Sequence, residues 1–388
     1  MTEQPPLSTD ILIVGAGPVG MTLALALTDS PLRVLLIDAQ PHGSWGNDPR
    51  ALALSHGSRQ LLERLRAWNA AAGTAIDEIH ISQKSGFGQT LIEARDYAIP
   101  ALGYVMGYSQ LAAALDARLA PQLRLDECTI STSQSGPDDI TVTLNHQGQT
   151  RQLTTKLIVH AEGSAANESG VKVRHYGQHA IVAEVQLKTA PNLKHKHRAW
   201  ERFTPDGPLA LLPHGQGYSV VFTVPSDKTQ ALLELDDDGF LEALRQQFGD
   251  KRLDFANCSA RSSFPLALRA RSQLTQSRQV WIGNAAQTLH PVSGQGFNLG
   301  LRDAWELGEI LHNHPDPGNP KGLSIYARNR QLDRRASMAF TDGIVSIFSN
   351  NLPPLKLARG LGLLALDLCP PLRHFVAKRM IWGARAWL

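Results

Sequence analysis

The segment WIGNAAQTLHP (residues 281–291), which continues after two residues into GQGFNLG (residues 294–300), says most about the fold of this chain. Its pattern predicts a short buried strand, a tight turn, a glycine-rich loop and then a helix through Leu301 to His312. We call residues 283–298 the glycine-rich loop. The backbone amides exposed at the start of such a helix favour an electron-rich ligand.

A second ligand-binding loop lies far upstream. The apolar run ILIV (residues 11–14) leads into GAGPVG (residues 15–20), which we call the nucleotide loop, and then into an apolar helix; Asp38 closes the next apolar run, Val34 to Ile37. This order is the dinucleotide-binding fingerprint, in which the acid accepts hydrogen bonds from ribose hydroxyls. A glycine-rich turn can serve packing alone, but the context on both sides favours binding. Two loops so far apart suit a long cofactor held at both ends, which favours FAD over NAD.

The composition is that of a globular chain with more than one domain. It has 388 residues, of which 43% are apolar, and two domains are the default for this length. Cys128, Cys258 and Cys369 are too far apart to predict a metal site or a disulfide framework, so we expect no bound metal and a reducing cytosol. The N-terminus lacks a secretory signal, and the uncharged run Ile11 to Thr28 is interpreted as strand, turn and helix rather than as a membrane span.

Charge is distributed unevenly along the chain. The net charge is only +3, so nucleic acid is not expected as a partner. From Lys356 to Leu388 there are six basic residues and one acid, Asp367, so this segment carries +5 and the remainder −2. Residues 371–388 also gather most of their apolar side chains on one side of a predicted helix. Such a helix suits a membrane surface, and the alternative is a helix that docks on the protein body.

The order of predicted elements indicates an α/β fold. Between His179 and Phe264 the sequence changes to alternating strands, with one helix from Asp238 to Phe248. Because the glycine-rich loop must return to the nucleotide loop, this region is interpreted as an insertion. We predict a discontinuous FAD-binding Rossmann-like domain (residues 1–75, 98–175 and 265–345), an inserted, mainly antiparallel β-sheet substrate domain (residues 76–97 and 176–264), and a helical C-terminal tail (residues 346–388).

Further motifs complete a family pattern. GNAA at residues 283–286, and Pro291 with GQGFNLGLRD at residues 294–303, accompany the nucleotide loop. Together they resemble the FAD-dependent aromatic hydroxylases of ubiquinone biosynthesis. The resemblance covers nearly the whole chain, through YGQ (residues 176–178), ERFT (201–204), GPLA (207–210) and FPL (264–266).

This resemblance implies a non-covalent FAD site that begins at the nucleotide loop. Gly15, Gly17 and Gly20 would meet the pyrophosphate. Asp38 would meet the adenosine ribose, and Arg50 would contact the cofactor from the loop before the second helix. Without a second dinucleotide fingerprint in the sequence, NAD(P)H would bind only transiently as the electron donor.

The glycine-rich loop would hold the other end of the cofactor. Gly283 and Asn284 would lie against the ribityl and phosphate portion, although the alternative for Asn284 is an ordinary turn residue. Pro291 would lie beside the isoalloxazine. The pyrimidine edge of that ring becomes negative on reduction and would face the start of a helix, where negative charge is favourable. The backbone amides expected there are those of Gly294, Gln295, Gly296, Phe297 and Asn298.

The reaction implied by the resemblance is ring hydroxylation of a polyprenylated phenol, with NAD(P)H and O₂ as co-substrates. A polyprenyl substrate resides in the bilayer, so we expect a cytoplasmic protein that associates peripherally with the inner membrane through its tail. Other proteins of ubiquinone biosynthesis are possible partners. Two alternatives stay open: a flavin oxidoreductase that acts on a lipid without oxygen insertion, and a degenerate flavoprotein that serves as a scaffold in a membrane-associated assembly.

One segment departs from the family pattern. Members commonly have Ala-Asp-Gly followed by a serine and an arginine, whereas this chain has AEGSAAN at residues 161–167 and no arginine before Val171. Glu162 is one methylene longer than the aspartate it replaces. A contact of this loop with FAD or NAD(P)H therefore does not follow from the resemblance.

His290 is the candidate catalytic residue, because it is the titratable group inside the glycine-rich loop. An imidazole there could help to deprotonate a phenol. The alternative is a structural histidine before a proline, and burial and geometry are needed to decide between them.

Overall fold

The computed structural model describes residues 7–163, 169–188, 197–249, 254–349 and 353–383. The helices are α1 (Pro18–Ala26), α2 (His56–Arg64), α3 (Tyr108–Asp116), α4 (Ser226–Leu233), α5 (Asp237–Phe248), α6 (Gln295–Leu311), α7 (Pro320–Phe348), α8 (Pro353–Leu368) and α9 (Pro370–Trp382). The strands are β1 (Leu7–Val14), β2 (Val34–Ile37), β3 (Ala51–Ser55), β4 (Thr74–Ile76), β5 (Glu78–Gln83), β6 (Gln89–Glu93), β7 (Gly103–Gly107), β8 (Arg124–Leu125), β9 (Cys128–Ser135), β10 (Ile140–His146), β11 (Gln149–His160), β12 (Val171–Leu187), β13 (Arg198–Thr204), β14 (Gly207–His214), β15 (Gly217–Pro225), β16 (Phe255–Cys258), β17 (Ser262–Arg271), β18 (Thr275–Gln276), β19 (Gln279–Trp281) and β20 (Gln287–Thr288).

The nucleotide loop follows the central strand of a mainly parallel sheet. The strand order is β18-β19-β11-β1-β2-β8, and β10 and β9 extend the sheet beside β11 in antiparallel fashion. β1 pairs in parallel with both β11 and β2. Ile11 and Ile13 belong to the main core with residues of α1 and α6, whereas Leu12 packs on the opposite face with Val142 and Ile158. Both faces of β1 are covered, which explains its continuous apolar run.

A second sheet forms the inserted domain. Its strand order is β20-β17-β12-β15-β14-β13-β5-β6, with β16 beside β12. Among the described residues every pairing in this sheet is antiparallel except that of β13 with β5. Helix α5 covers one face, where Phe240 and Leu244 pack with Trp200 and Phe222. The predicted α/β fold, with its inserted antiparallel sheet and helical C-terminal part, is confirmed.

The strands of this sheet cross the predicted domain limits. β12 begins at Val171 and β17 ends at Arg271, whereas the limits were placed at residues 176 and 264. The start of β12, Val171 to His175, already pairs with β17 before a bulge. β20, a part of the glycine-rich loop, pairs with β17 as well. Strand periodicity marks where side chains alternate, but it does not mark which of two adjoining sheets a strand belongs to.

The helix of the glycine-rich loop begins six residues earlier than predicted, at Gln295 instead of Leu301. Gly294 precedes it with a left-handed φ of 60°, a conformation that glycine adopts without strain. Glycines weaken an isolated helix, so the sequence pattern favoured a loop. Here they serve packing, since a Cβ on Gly300 would lie 3.0 Å from the side chain of Val19 in α1.

The tail consists of two helices, α8 and α9, and the last five residues of the predicted final helix (384–388) lie outside the described residues. Ala377 and Ile381 of α9 are buried against Ile92 and Leu102. Helix α9 is therefore a docked helix, the second of the two interpretations of the sequence. None of the helices in the described ranges combines the length and hydropathy of a membrane span.

Candidate active site

Glycine is present at the three positions of the nucleotide loop for different structural reasons. Gly15 has a φ of 104°, and a Cβ there would lie 2.5 Å from the backbone nitrogen of Glu162. A Cβ on Gly20 would lie 2.0 Å from the carbonyl oxygen of Gly15. Gly17, in contrast, has an ordinary φ of −72°, and a Cβ there would meet only the Tyr108 hydroxyl, at 3.3 Å. The fold requires Gly15 and Gly20, whereas the space in front of Gly17 is open for a ligand.

Asp38 fixes the nucleotide loop at the end of β2. Its Oδ2 accepts a hydrogen bond of 2.6 Å from the backbone N–H of Ala16, and its Oδ1 accepts one of 2.8 Å from Gln40. A carboxylate oxygen can accept more than one hydrogen bond, and Asp38 is only half-buried. The predicted ribose contact thus remains available to this side chain.

Arg50 contacts Tyr108, which lies next to the nucleotide loop and which the sequence analysis did not predict as a site residue. Its Nε donates to Asp48 Oδ1 over 2.8 Å, and its guanidinium lies 4.9 Å from the centre of the Tyr108 ring. The hydrogen bond to Asp48 raises the pKa of Arg50. Tyr108 in turn is the residue nearest to the open face of Gly17. Its only sequence signal is an aromatic side chain at the first position of a helix that follows a strand.

The glycine-rich loop meets the nucleotide loop at Val19. Gly283 has a φ of 58°, and a Cβ there would lie 3.1 Å from the Val19 side chain, which also contacts Gly300. Close packing of α1, Gly283 and α6 therefore joins the two loops. Asn284 is exposed although its neighbours Gly283 and Ala285 are buried. It is the side chain at this turn that is free to meet a ligand.

A buried ionic network holds the turn at Gly283. Asp303 Oδ2 accepts from the backbone N–H of Gly283 over 3.1 Å and from Gln287 Nε2 over 2.8 Å. Asp303 Oδ1 accepts from Arg330 Nε over 2.6 Å, and Arg330 also pairs with Asp333 at 2.9 Å. Burial alone would lower the pKa of Arg330, but the carboxylates of Asp303 and Asp333 raise it. Charges buried in this way remain ionised because each has a partner.

The first turn of α6 presents free backbone amides. Gly294 is its N-cap and provides no side-chain cap, so the N–H groups of Gly296 and Phe297 have no partner within the helix. The Asn298 side chain is occupied elsewhere: it donates to Ala53 O (2.9 Å) and Gly294 O (2.7 Å). It also accepts from Ser55 N (2.8 Å) and Ser58 Oγ (2.6 Å). Asn298 thus shapes the loop with its side chain, and Pro291 stays exposed before it.

His290 is buried, with 1% of its surface exposed. Its Nδ1 accepts from the backbone N–H of Val292 over 3.1 Å, and its ring meets Tyr176 edge-on at 5.2 Å. Burial lowers the pKa of His290 from 6.5 to about 4. A neutral imidazole whose Nδ1 is already used is a weak base, so the geometry favours the structural alternative for this residue.

An apolar cavity lies beside the first turn of α6. Gln295 and Asn298 form one side of it, and the other sides come from β3, from the segment between Ile76 and Gly103, and from α9. The aliphatic side chains that line it include Ile76, Ile79, Ile92, Leu102, Met380 and Ile381. Gln295 Nε2 donates to the carbonyl of Met380 over 3.2 Å, which ties α9 to the glycine-rich loop. The aliphatic lining of the cavity matches the chemistry of an apolar ligand.

Both loops together fit a flavin dinucleotide. The open face of Gly17 admits a pyrophosphate, the exposed Asn284 can donate to ligand oxygens, and the uncapped amides of α6 favour the negative edge of a reduced ring. A protein with this fold and these two joined loops is a flavoprotein. The family described as "FAD binding domain" matches residues 8–341, and the chain belongs to this family. FAD is its cofactor, and it is an FAD-dependent monooxygenase.

Known proteins resemble the chain over most of its length. Ubiquinone hydroxylase UbiL of Rhodospirillum rubrum is 34% identical over 94% of this chain and 87% of its own. The 3-demethoxyubiquinol 3-hydroxylase of Escherichia coli is 29% identical over 97% of this chain and 99% of its own. Among solved structures, p-nitrophenol 4-monooxygenase PnpA of Pseudomonas putida DLL-E4 superposes with a TM-score of 0.78, covering 98% of this chain and 100% of its own, at 14% identity. That last likeness shows the fold alone.

Proposed function

We propose that this chain hydroxylates the ring of a polyprenylated phenol in ubiquinone biosynthesis, with NAD(P)H as transient electron donor and O₂ as the source of oxygen. Relatives named as a ubiquinone hydroxylase and a 3-demethoxyubiquinol 3-hydroxylase match nearly the full length of the chain. The observation that carries the proposal is the aliphatic cavity beside the first turn of α6. It provides an apolar place for a prenylated ring next to the amides that suit the flavin.

The residues of the chain bind the cofactor, orient the substrate ring and exclude water. Bound FAD, once reduced by NAD(P)H, supplies the chemistry that activates O₂. Gly17 and Asp38 would hold its nucleotide end, and Asn284 would hold its middle. The amides of residues 295–297 stabilise negative charge at the flavin edge. The aliphatic lining of the cavity keeps water from the reacting ring and fixes its orientation.

The altered segment around Glu162 is assigned a structural role. Its backbone packs against the nucleotide loop, because the Glu162 nitrogen lies only 2.5 Å from the position that a Cβ on Gly15 would take. Its carboxylate pairs with His160 Nδ1 at 2.9 Å, and the His160 ring stacks on Trp281 at 4.8 Å. The longer side chain is thus accommodated without loss of the loop. Residues 164–168 of this segment lie outside the described residues.

Labelled oxygen tests the reaction. Purified holoenzyme would receive NAD(P)H, ¹⁸O₂ and a short-chain 2-prenyl-6-methoxyphenol, and the product would be analysed by mass spectrometry. One ¹⁸O atom in the product is expected. Label that arrives only from H₂¹⁸O, or substrate oxidation without oxygen gain, would replace the proposal with the oxidoreductase alternative. Protein that binds no reducible flavin would favour the scaffold alternative.

We further propose that the membrane contact lies on α8. Four leucines repeat along one side of this helix, which we call the leucine face: Leu357 (57% exposed), Leu361 (53%), Leu364 (38%) and Leu368 (72%). An exposed apolar stripe of this length is unusual for a protein without a partner. Lys356 lies at its start, and Asp367 is the acid exposed along α8. The excess of basic residues in the tail complements an anionic leaflet.

Liposome binding tests the leucine face. The double variant Leu361→Gln/Leu368→Gln removes apolar side chains worth about 1.5–3 kcal/mol each when fully buried, so binding to anionic liposomes should fall at least about tenfold. Leu332→Gln is the matched control, since Leu332 is 62% exposed on α7 and lies outside the leucine face. Equal binding of the double variant and the control would show that α8 does not contact the membrane. Deletion of α9 is a poorer test, because it would uncover the core around Ile92.

A further inference from the structure

One buried carboxyl group is not used by any contact described so far. Glu201 lies on β13, between Ala199 and Phe203. Successive side chains of a strand point to opposite faces, and Trp200 packs with residues of α5. Ala199, Glu201 and Phe203 therefore share the other face of the sheet, which is turned toward the FAD-binding domain.

That face lies between the apolar cavity and the glycine-rich loop. Ala199 is buried with Ile76 and Val105, and Ile76 also lines the cavity. Phe203, on the other side of Glu201, is buried with Val292 of the glycine-rich loop. The direct neighbours of Glu201 on the adjoining strands are Ile81 and Ala210. The structure thus places the Glu201 carboxyl group among apolar side chains, on the sheet face between the cavity-lining Ile76 and Val292 of the glycine-rich loop.

The Glu201 carboxyl group has an acceptor with no protein partner. Its Oε1 is fully buried and makes no hydrogen bond within the described part of the chain. A buried polar atom without a partner is costly, and a polar group of a ligand is one way to satisfy it. Burial raises the pKa of Glu201 from 4.5 to about 7.

Charged groups near the sheet face that carries Glu201 are paired with other residues or are neutral. Tyr176 packs beside Phe203, and His290, Asp342 and Arg174 contact Tyr176; His214 lies at the end of β14. Tyr176 donates to Asp342 over 3.1 Å, and His214 pairs with Glu184 at 3.0 Å. Burial is the cause of the shifted pKa of Glu201, with no contribution from a neighbouring charge.

We propose that Glu201, rather than His290, is the base that accepts the proton of the phenolic hydroxyl, an inference that rests on the proposed function. The O–H bond of the phenol breaks, its electron pair stays on the phenol oxygen, and the proton forms a new bond to Glu201 Oε1. The resulting phenolate is a more electron-rich ring for hydroxylation. The proton returns to solvent or product after the turnover, so no further reactant is needed.

Kinetics of a Glu201→Gln variant tests the assignment. Gln keeps the size of the side chain but cannot accept the proton at neutral pH, so kcat at pH 7 should fall about 100-fold or more, as for other general bases. FAD content and KM should change little, and the activity of the variant should rise toward alkaline pH, where the phenol ionises by itself. Glu201→Asp should recover part of kcat. Glu184→Gln, in the same sheet but half-exposed, should behave like the wild-type protein.

A second measurement does not depend on turnover. The carboxyl band that is absent from the infrared spectrum of Glu201→Gln should titrate in the wild-type protein with a midpoint near pH 7. A midpoint near the ordinary value for glutamate, or a Glu201→Gln variant with wild-type kcat and pH profile, would overturn the assignment. If the wild-type protein itself hydroxylates no phenol, the proposed function fails, which is a separate result from an active Glu201→Gln variant.

Discussion

Replacing Gly17 with valine tests whether glycine is needed at this position for FAD binding or for folding. Gly17 has a φ of −72°, which a valine can adopt, and a Cβ there meets only the Tyr108 hydroxyl at 3.3 Å. A larger side chain at this N-cap costs up to about 1 kcal/mol, and the loss of glycine's freedom in the unfolded chain returns about 0.4–1 kcal/mol. The free energy of unfolding without FAD should therefore change by less than about 1 kcal/mol.

The effect on FAD should be much larger. A valine side chain would occupy the space that the pyrophosphate needs in order to reach the backbone amides of the nucleotide loop. Hydrogen bonds to a charged group contribute about 1.5–3 kcal/mol each, so the loss of two would raise Kd by at least about 100-fold. The same substitution is thus nearly neutral for folding and severe for binding.

The assay compares both properties in protein from which FAD has been removed. Thermal unfolding gives the stability, and quenching of flavin fluorescence during titration gives Kd. Gly20→Ala is the control, because its Cβ would lie 2.0 Å from the Gly15 carbonyl oxygen and should prevent stable folding even without ligand. A Gly17→Val protein that binds FAD within threefold of the wild-type Kd would refute the placement of the pyrophosphate.

Three further substitutions address the interior. Burial lowers the pKa of His290 to about 4, so as the pH falls this histidine is protonated in the unfolded chain before it is protonated in the folded protein. The free energy of unfolding of the wild-type protein should therefore fall by up to about 3 kcal/mol between pH 6.5 and pH 4. His290→Gln should show a weaker loss in melting curves; an equal one would contradict the buried neutral imidazole. Because burial raises the pKa of Glu201 from 4.5 to about 7, the wild-type protein loses stability as the pH rises from 4.5 to about 7, and the loss is complete above that pH. Glu201→Gln should be more stable by up to about 3 kcal/mol at pH 8 and equal at pH 4, as measured by urea unfolding, and a less stable variant at pH 8 would argue against a buried carboxylate. Asp303→Asn removes a charged partner of buried Arg330, so the free energy of unfolding should fall by about 3–5 kcal/mol and the protein should retain less FAD. Unchanged urea unfolding would show that the network does not hold the turn at Gly283.

Much of the fold follows from local requirements that the sequence states directly. A buried parallel strand needs a continuous apolar run such as residues 11–14, and a turn with positive φ needs glycine, as at Gly15 and Gly283. The antiparallel insertion could be predicted because its side chains alternate with a period of two. The FAD assignment followed from two such loops and a family pattern, and the family match confirms it.

Other features depend on residues that are distant in sequence. Helix α6 begins at Gln295 because its glycines pack against α1, nearly 300 positions earlier, which overrides their low helix propensity. Sequence pattern placed the apolar face of the tail on its last helix. There Ala377 and Ile381 are used for docking while Leu372 and Phe375 stay exposed, and the longer row of exposed leucines is on α8.

The amino-acid sequence by itself determined the two glycine-containing turns, the α/β fold class with its inserted sheet, and the cofactor class, because each depends on backbone conformation or periodicity within a short segment. Only the tertiary structure decided which side chains meet at the site. Tyr108 lies over the nucleotide loop, and His290 is buried and neutral. Glu201 carries an unpaired oxygen on the face of the sheet turned toward the flavin-binding domain. Burial, hydrogen bonding and pKa are properties of the packed neighbourhood, and that neighbourhood forms only when remote segments come together.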